Sequence, residues 1–193
     1  MVYKLIRFLA NLYVSIYYKI VVSGLEKVPE EGALLIGANH IHWADPILVA
    51  CKIPNRHISY LGKKELFDIK PLGWLLRKID VIPVHRGTND VKAIKNSLRA
   101  LKNEDALGIF PEGTRMKAGE RKPVETGFVT LALKTEAQIV PVGIKGSYRF
   151  RKKIEIKIGD PILLKNPEGR KRTKDEIRDM AEEVMDTIRE LAK

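Results

Sequence analysis

Apolar residues over the first twenty positions recur at steps of three and four. Val2, Leu5, Ile6, Leu9, Leu12, Tyr13, Ile16, Tyr17 and Ile20 form one stripe, with Lys4, Arg7, Asn11, Ser15 and Lys19 mostly on the other side. That spacing predicts an amphipathic helix over residues 1–20. Its longest charge-free run, residues 8–18, is well short of the ~20 apolar residues a bilayer crossing needs. No small-residue cleavage site follows, so the segment does not read as a secretory signal. Two readings fit the stripe. The helix lies in a membrane headgroup region, with its basic residues and aromatic rings at the interface, or it docks its apolar face on the protein core.

Beyond Gly24 the pattern changes to short apolar runs alternating with helical stripes. Residues 33–38, 57–61, 81–84, 107–110, 139–144 and 154–158 read as strands. Asp45-Pro46 reads as a helix start, with Asp as N-cap and Pro at the first helical position. Val91, Ile94, Leu98 and Leu101 mark a second helix, and residues 128–133 a less clean third. Thr173 with Glu176 reads as a capping box opening a C-terminal helix faced by Ile177, Met180, Ala181, Val184, Ile188 and Leu191. Such alternation predicts an α/β fold, a mixed and mostly parallel sheet flanked by helices. The division expected is a membrane-associating helical segment over 1–23 and a single domain over 24–193. Residues 66–76 are oddly apolar for a stretch holding Pro71 and Gly73; they pack as an ordinary helix or form a greasy lip.

Composition narrows the partners. The chain has 193 residues, 45% of them hydrophobic, enough for one real core. Its net charge of +11 points to an anionic partner, and this charge favours the membrane reading of the N-terminal helix. The excess crowds the late segment: Lys145, Arg149, Arg151, Lys152, Lys153, Lys157, Lys165, Arg170, Lys171, Arg172 and Lys174. Only Tyr148 and Phe150 stand among those cations as possible base-stacking rings, so nucleic acid is not the expected partner. An acidic leaflet or an acidic carrier protein suits the same field. A lone cysteine, Cys51, excludes an internal disulfide and a Cys-based zinc site, and fits a reducing interior.

Two places carry chemistry. Asn39-His40-Ile41-His42-Trp43-Ala44-Asp45-Pro46 falls where a strand ends and a helix begins, the usual ligand position in open α/β sheets. Across such a turn the Asp45 carboxylate can reach His40, fix its tautomer and leave it a general base for a hydroxyl. The competing reading makes Asp45 a helix cap and His40 a polar strand end, and a metal held by His40, His42 and Asp45 is a third. Phe110-Pro111-Glu112-Gly113-Thr114-Arg115 again follows an apolar strand and offers a close backbone approach, a hydroxyl and a guanidinium fork for an anion. Val84-His85-Arg86-Gly87 repeats that theme.

In sequence order, Asn-His-x4-Asp-Pro, the strand ending at Arg86, Phe-Pro-Glu-Gly-Thr-Arg and Val140-Pro141-Val142-Gly143 together resemble the glycerolipid acyltransferase family. Nearest in pattern are its short bacterial 1-acylglycerol-3-phosphate acyltransferases. The resemblance runs from the N-terminal helix to about residue 145. It implies His40 as general base and Asp45 as its orienting partner. Arg86 would hold the acceptor phosphate, with Glu112, Gly113, Thr114 and Arg115 shaping that site, and Pro141 would serve the acyl side or structure. It further implies no metal or cofactor, and a donor that is acyl carrier protein or acyl-CoA. The acceptor would be lysophosphatidic acid and the workplace the cytoplasmic face of the cell membrane, held peripherally or monotopically. An oxyanion must also be stabilised; the sequence does not say by which donors, and backbone N–H groups near the His40 turn are candidates. Two departures bear on the acceptor. His85 replaces the Asp that many relatives carry before the arginine, and is expected to point away from the ligand by strand alternation. Val124-Glu125-Thr126-Gly127 lacks a lysine common in relatives, for which Lys122 could substitute. Open rivals are the same chemistry on another lysophospholipid or on glycerol 3-phosphate, and a non-catalytic basic module that binds membranes.

Overall fold

A computed structural model describes residues 2–85, 90–117, 120, 122–165 and 169–193. Its sheet places β1 (Lys19–Ser23), β7 (Lys153–Ile158), β6 (Gln138–Gly146), β2 (Leu34–Ala38), β5 (Ala106–Ile109), β3 (Ile58–Lys63) and β4 (Ile82–Val84) side by side in that order. β6 and β7 run antiparallel, and every other neighbouring pair is parallel. This is the mixed, mostly parallel sheet that the alternation of short apolar runs and stripes predicts.

Near-continuous apolar strands are needed because helices cover both faces. Leu34, Ile36 and Ala38 of β2 face one core layer with Val140, Val142 and Ile144 of β6, against α1 (Val2–Tyr17) and α2 (Asp45–Lys52). Leu35 faces the other, where α4 (Val91–Lys102), α5 (Gly127–Thr135) and α6 (Lys174–Leu191) pack. At Gly143 a β-carbon would lie 2.3 Å from the Leu191 backbone carbonyl carbon, so only glycine lets the end of α6 settle on the sheet. α6 opens with the expected capping box between Thr173 and Glu176. Arg170 and Arg172 pair with Glu176, so part of the late basic run serves this helix start.

The N-terminal segment departs from its periodicity in two ways. The helix stops at Tyr17 rather than Ile20, and the next residues form β1, so segment 1–23 is helix first and edge strand last. Ile20-Val21-Val22 is a β-branched run, and pairing with β7 favours the extended form over another helical turn. More consequentially, the stripe faces outward. Leu5, Phe8, Leu9, Leu12, Tyr13 and Ile16 are all at least half exposed, Phe8 at 65%, whereas Val14 is 2% exposed. The helix docks instead through Tyr3, Ala10, Val14 and its polar side. Lys52 Nζ donates to Asn11 Oδ1 at 2.8 Å and Ser15 Oγ at 2.9 Å, and Arg7 donates to the Arg56 carbonyl. Among the described residues no helix is long and apolar enough to cross a membrane. In the apolar stretch 66–76, Phe67 packs inward ahead of α3 (Lys70–Lys78), while Leu66, Ile69 and Trp74 are exposed.

Candidate active site

The connection leaving β2 passes through α2 to β3, beyond β5, while the connection leaving β5 passes through α5 to β6, beyond β2. The two chains therefore part company at the carboxyl ends of β2 and β5, opening the kind of crevice where α/β sheets bind ligands. His40 lies just past β2, and the Phe110–Arg115 block just past β5.

Asn39 ends the strand. Its side-chain amide donates to the Ile144 carbonyl at 2.9 Å and accepts from the Ile144 N–H at 2.7 Å, replacing one rung of the ladder to β6. The main chain is thereby released to turn while the buried β6 groups stay satisfied. Replacing Asn39 with alanine is expected to cost about 2–4 kcal/mol, because two desolvated groups lose their partners; a lower urea midpoint at an unchanged m-value would show it.

In the turn, His40 Nδ1 and Asp45 Oδ2 are 2.8 Å apart, and the same oxygen accepts the N–H groups of Ile41 and His42 at 2.7 Å each. Asp45 is 0% exposed and its other oxygen accepts the Tyr148 hydroxyl. An ionised carboxylate accepting from Nδ1–H leaves Nε2 of the neutral imidazole with its lone pair. The cap reading of Asp45 is corrected: Ala44 is the N-cap of α2 and has no side-chain bond to offer, Asp45 is the first helical residue, and its carboxylate turns back onto residues 40–42. His42 stacks on Tyr148 with ring centroids 4.0 Å apart, and its burial lowers its pKa. Among the described residues no three His, Cys, Asp or Glu side chains are grouped as metal ligands would be.

The second block grips the same turn. Glu112 Oε2 accepts the His40 N–H at 2.6 Å, and the Met116 N–H donates to the His40 carbonyl at 2.8 Å. Burial pushes the Glu112 carboxyl up, and the His40 N–H works against that. The Phe110 ring stacks on the imidazole at 4.2 Å. Gly113 closes the turn onto the Phe110 carbonyl at φ +66°, where a β-carbon would be strained and would sit 3.0 Å from Glu125 Cγ. Thr114 is half-buried and Arg115 exposed, with the Arg115 charge near enough to hold His42 down.

From His40 a cleft of about 550 Å³ runs between α4 and α5, with Leu61, Val84, Ile94, Leu98, Ile109 and Leu131 in its walls. Arg86 lies outside the described residues. His85 stands on the rim of this cleft, contrary to the alternation argument, because β4 ends at Val84 and the face rule stops with the strand. Lys122 pairs with Glu120. Of the backbone N–H groups near the His40 turn that are candidates to meet an oxyanion, those of His40, Ile41 and His42 are already taken by carboxylates. Sequence reasoning gave no role to Asn39 or Phe110 and weighed Tyr148 only as a base-stacking ring. Asn39 and Phe110 open the two motifs, so proximity was a signal, whereas Tyr148 lies 103 residues from Asp45 and gave none.

Comparison with known proteins matches this arrangement. The sequence model of the acyltransferase family fits residues 19–145, from β1 into β6. A 1-acyl-sn-glycerol-3-phosphate acyltransferase of Bacillus subtilis is 35% identical over 142 residues, which are 71% of this chain and 70% of that protein. The lyso-ornithine lipid O-acyltransferase of Pseudomonas aeruginosa is 30% identical over 142 residues, 73% of this chain and 52% of that protein. The crystal structure of the 1-acyl-sn-glycerophosphate (LPA) acyltransferase PlsC from Thermotoga maritima superposes with a TM-score of 0.75 at 26% identity, covering 98% of this chain and 79% of that one. With the family pattern spanning both motif turns and the fold shared over nearly the whole length, the chain belongs to the glycerolipid acyltransferase family.

Proposed function

We infer that this acyltransferase moves a fatty acyl group from an acyl thioester to the sn-2 hydroxyl of 1-acylglycerol 3-phosphate, giving phosphatidic acid. The observation that carries the reading is the His40–Asp45 pair at the mouth of an apolar cleft. The acceptor hydroxyl gives its proton to His40 Nε2 as its oxygen attacks the thioester carbonyl. The tetrahedral intermediate collapses, the C–S bond breaks, and the imidazolium returns the proton to the departing thiolate. Asp45 supports the imidazolium while that charge exists. The cleft has the size and apolar walls of a ligand site, and an acyl chain is its natural occupant. Arg115, with Thr114 beside it and Arg86 as the family's further phosphate ligand, supplies the positive charge for the acceptor headgroup.

The outward face of α1 is the membrane contact. Rings continue it to a basic loop: Tyr13 stacks on Tyr17, and Tyr17 meets the exposed Phe150, flanked by Arg149, Arg151 and Lys152. Apolar insertion beside a cluster of cations suits the anionic leaflet of the cytoplasmic face.

The test is acyl transfer in mixed micelles, with acyl-CoA and acyl carrier protein as alternative donors. The acceptors compared are lysophosphatidic acid, glycerol 3-phosphate and a phosphate-free lyso-lipid. Turnover is expected with lysophosphatidic acid, and Arg115→Ala should raise its KM about 10- to 100-fold, the worth of one charge-assisted hydrogen bond. Preference for the phosphate-free acceptor, with KM indifferent to Arg115→Ala, would move the assignment towards the Pseudomonas type of enzyme.

A further inference from the structure

We propose that Tyr148 is a positioning residue of this site, its hydroxyl fixing the rotation of the Asp45 carboxylate that aims Oδ2 at His40. The inference rests on the His40–Asp45 reading above and extends it to a residue beyond all four motif blocks. Oδ2 already serves three donors: the His40 ring and the N–H groups of Ile41 and His42. Oδ1 is buried with it and takes the Tyr148 hydroxyl. Without that donor one oxygen of a desolvated carboxylate would be bare, and the group would gain by rotating or drawing in water, either of which loosens its hold on Nδ1.

The phenol is itself held from three directions. Its ring stacks on His42 and meets Tyr18 edge-on at 5.7 Å. Three residues on, the Arg151 N–H donates to the Tyr17 carbonyl at 2.7 Å and its guanidinium to the Ile16 carbonyl at 3.3 Å, with Phe150 edge-on to Tyr17. The loop after β6 is thus buckled to the end of α1. Burial and the Asp45 charge both push the phenol up, so it remains an O–H donor across the working pH range.

Tyr148→Phe keeps the ring and removes the donor. Its kcat should fall about 10-fold, the lower end for a charge-assisted hydrogen bond, with KM for donor and acceptor unchanged. The acid limb of kcat/KM should move to lower pH, because a carboxylate that has loosened its hold on Nδ1 keeps a proton on His40 less firmly. The other groups facing this imidazole and its turn, namely Glu112, His42 and Arg115, are untouched by the change. In an Asp45→Asn background the further loss from Tyr148→Phe should vanish, since the phenol acts through that carboxylate.

Wild-type kcat and an unmoved acid limb in Tyr148→Phe, alongside an inactive Asp45→Asn, overturn this inference and leave the dyad standing. Full turnover in Asp45→Asn overturns both. If Tyr148→Leu loses activity while Tyr148→Phe does not, the ring only packs and the proposal fails. Should Tyr148→Phe not fold, 3-fluorotyrosine placed at 148 makes the same test: the altered donor strength should move the acid limb, and no movement refutes the role.

Discussion

His40→Ala is expected to lower kcat for acyl transfer by about 10²–10⁴-fold, the usual worth of a positioned general base. The thermal midpoint should hardly move. The side chain is not a keystone of the core: it stacks on Phe110 and bonds Asp45, while the turn around it is held by main-chain groups that alanine retains. Asp45→Asn separates the roles further. Asparagine can still accept N–H groups with its amide oxygen, but it carries no charge to support the imidazolium. Its kcat should fall by about 10²-fold or more with KM little changed. Ala44 rather than Asp45 is the N-cap of α2, so such a loss would not be that of a helix cap. Steady-state kinetics on both variants, with circular dichroism to verify folding, make the measurement. A folded His40→Ala enzyme at wild-type rate would leave the chemistry without its base.

The second large effect belongs to the outer face of α1. Replacing Leu9 and Leu12 together with aspartate should weaken binding to anionic vesicles by roughly 100-fold or more, because each large apolar side chain taken out of the lipid forfeits about 1.5–3 kcal/mol. Stability should stay within about 0.5 kcal/mol of the parent, as both residues are at least half exposed. Val14→Asp is the opposite control. That side chain is 2% exposed, so a charge there should unfold the protein rather than spare it. Vesicle sedimentation beside thermal melts reads both. Unaltered vesicle binding in the double variant, or a collapse of its melting temperature, would mean that the outward face has another purpose.

Much of this protein was legible because its signals are local. The strand runs come from apolar residues close in sequence, and so does the capping box of Thr173 and Glu176. His40 and Asp45 are five residues apart, near enough for one turn to bring them together. The motif pattern also carried the reaction class, since the family's sequence model covers the same blocks.

What stayed hidden depended on partners far away in the chain. Hydrophobic periodicity reports that α1 has an apolar side but not whether that side turns to protein or to solvent. Lys52, reaching across to Asn11 and Ser15, decides the direction. Ile20 continues the helical stripe by count, and only pairing with β7 makes it a strand. The choice of oxyanion donors was hidden for a similar reason: Glu112, from 72 residues away, and Asp45 take the N–H groups of His40, Ile41 and His42. The sequence by itself determined most of the element types, the α/β class and the nearness of His40 to Asp45, because each rests on short-range spacing. The tertiary structure alone decided which face of α1 is free, how Asn39 ends its strand and which phenol steadies Asp45, because those are contacts between residues that no local pattern joins.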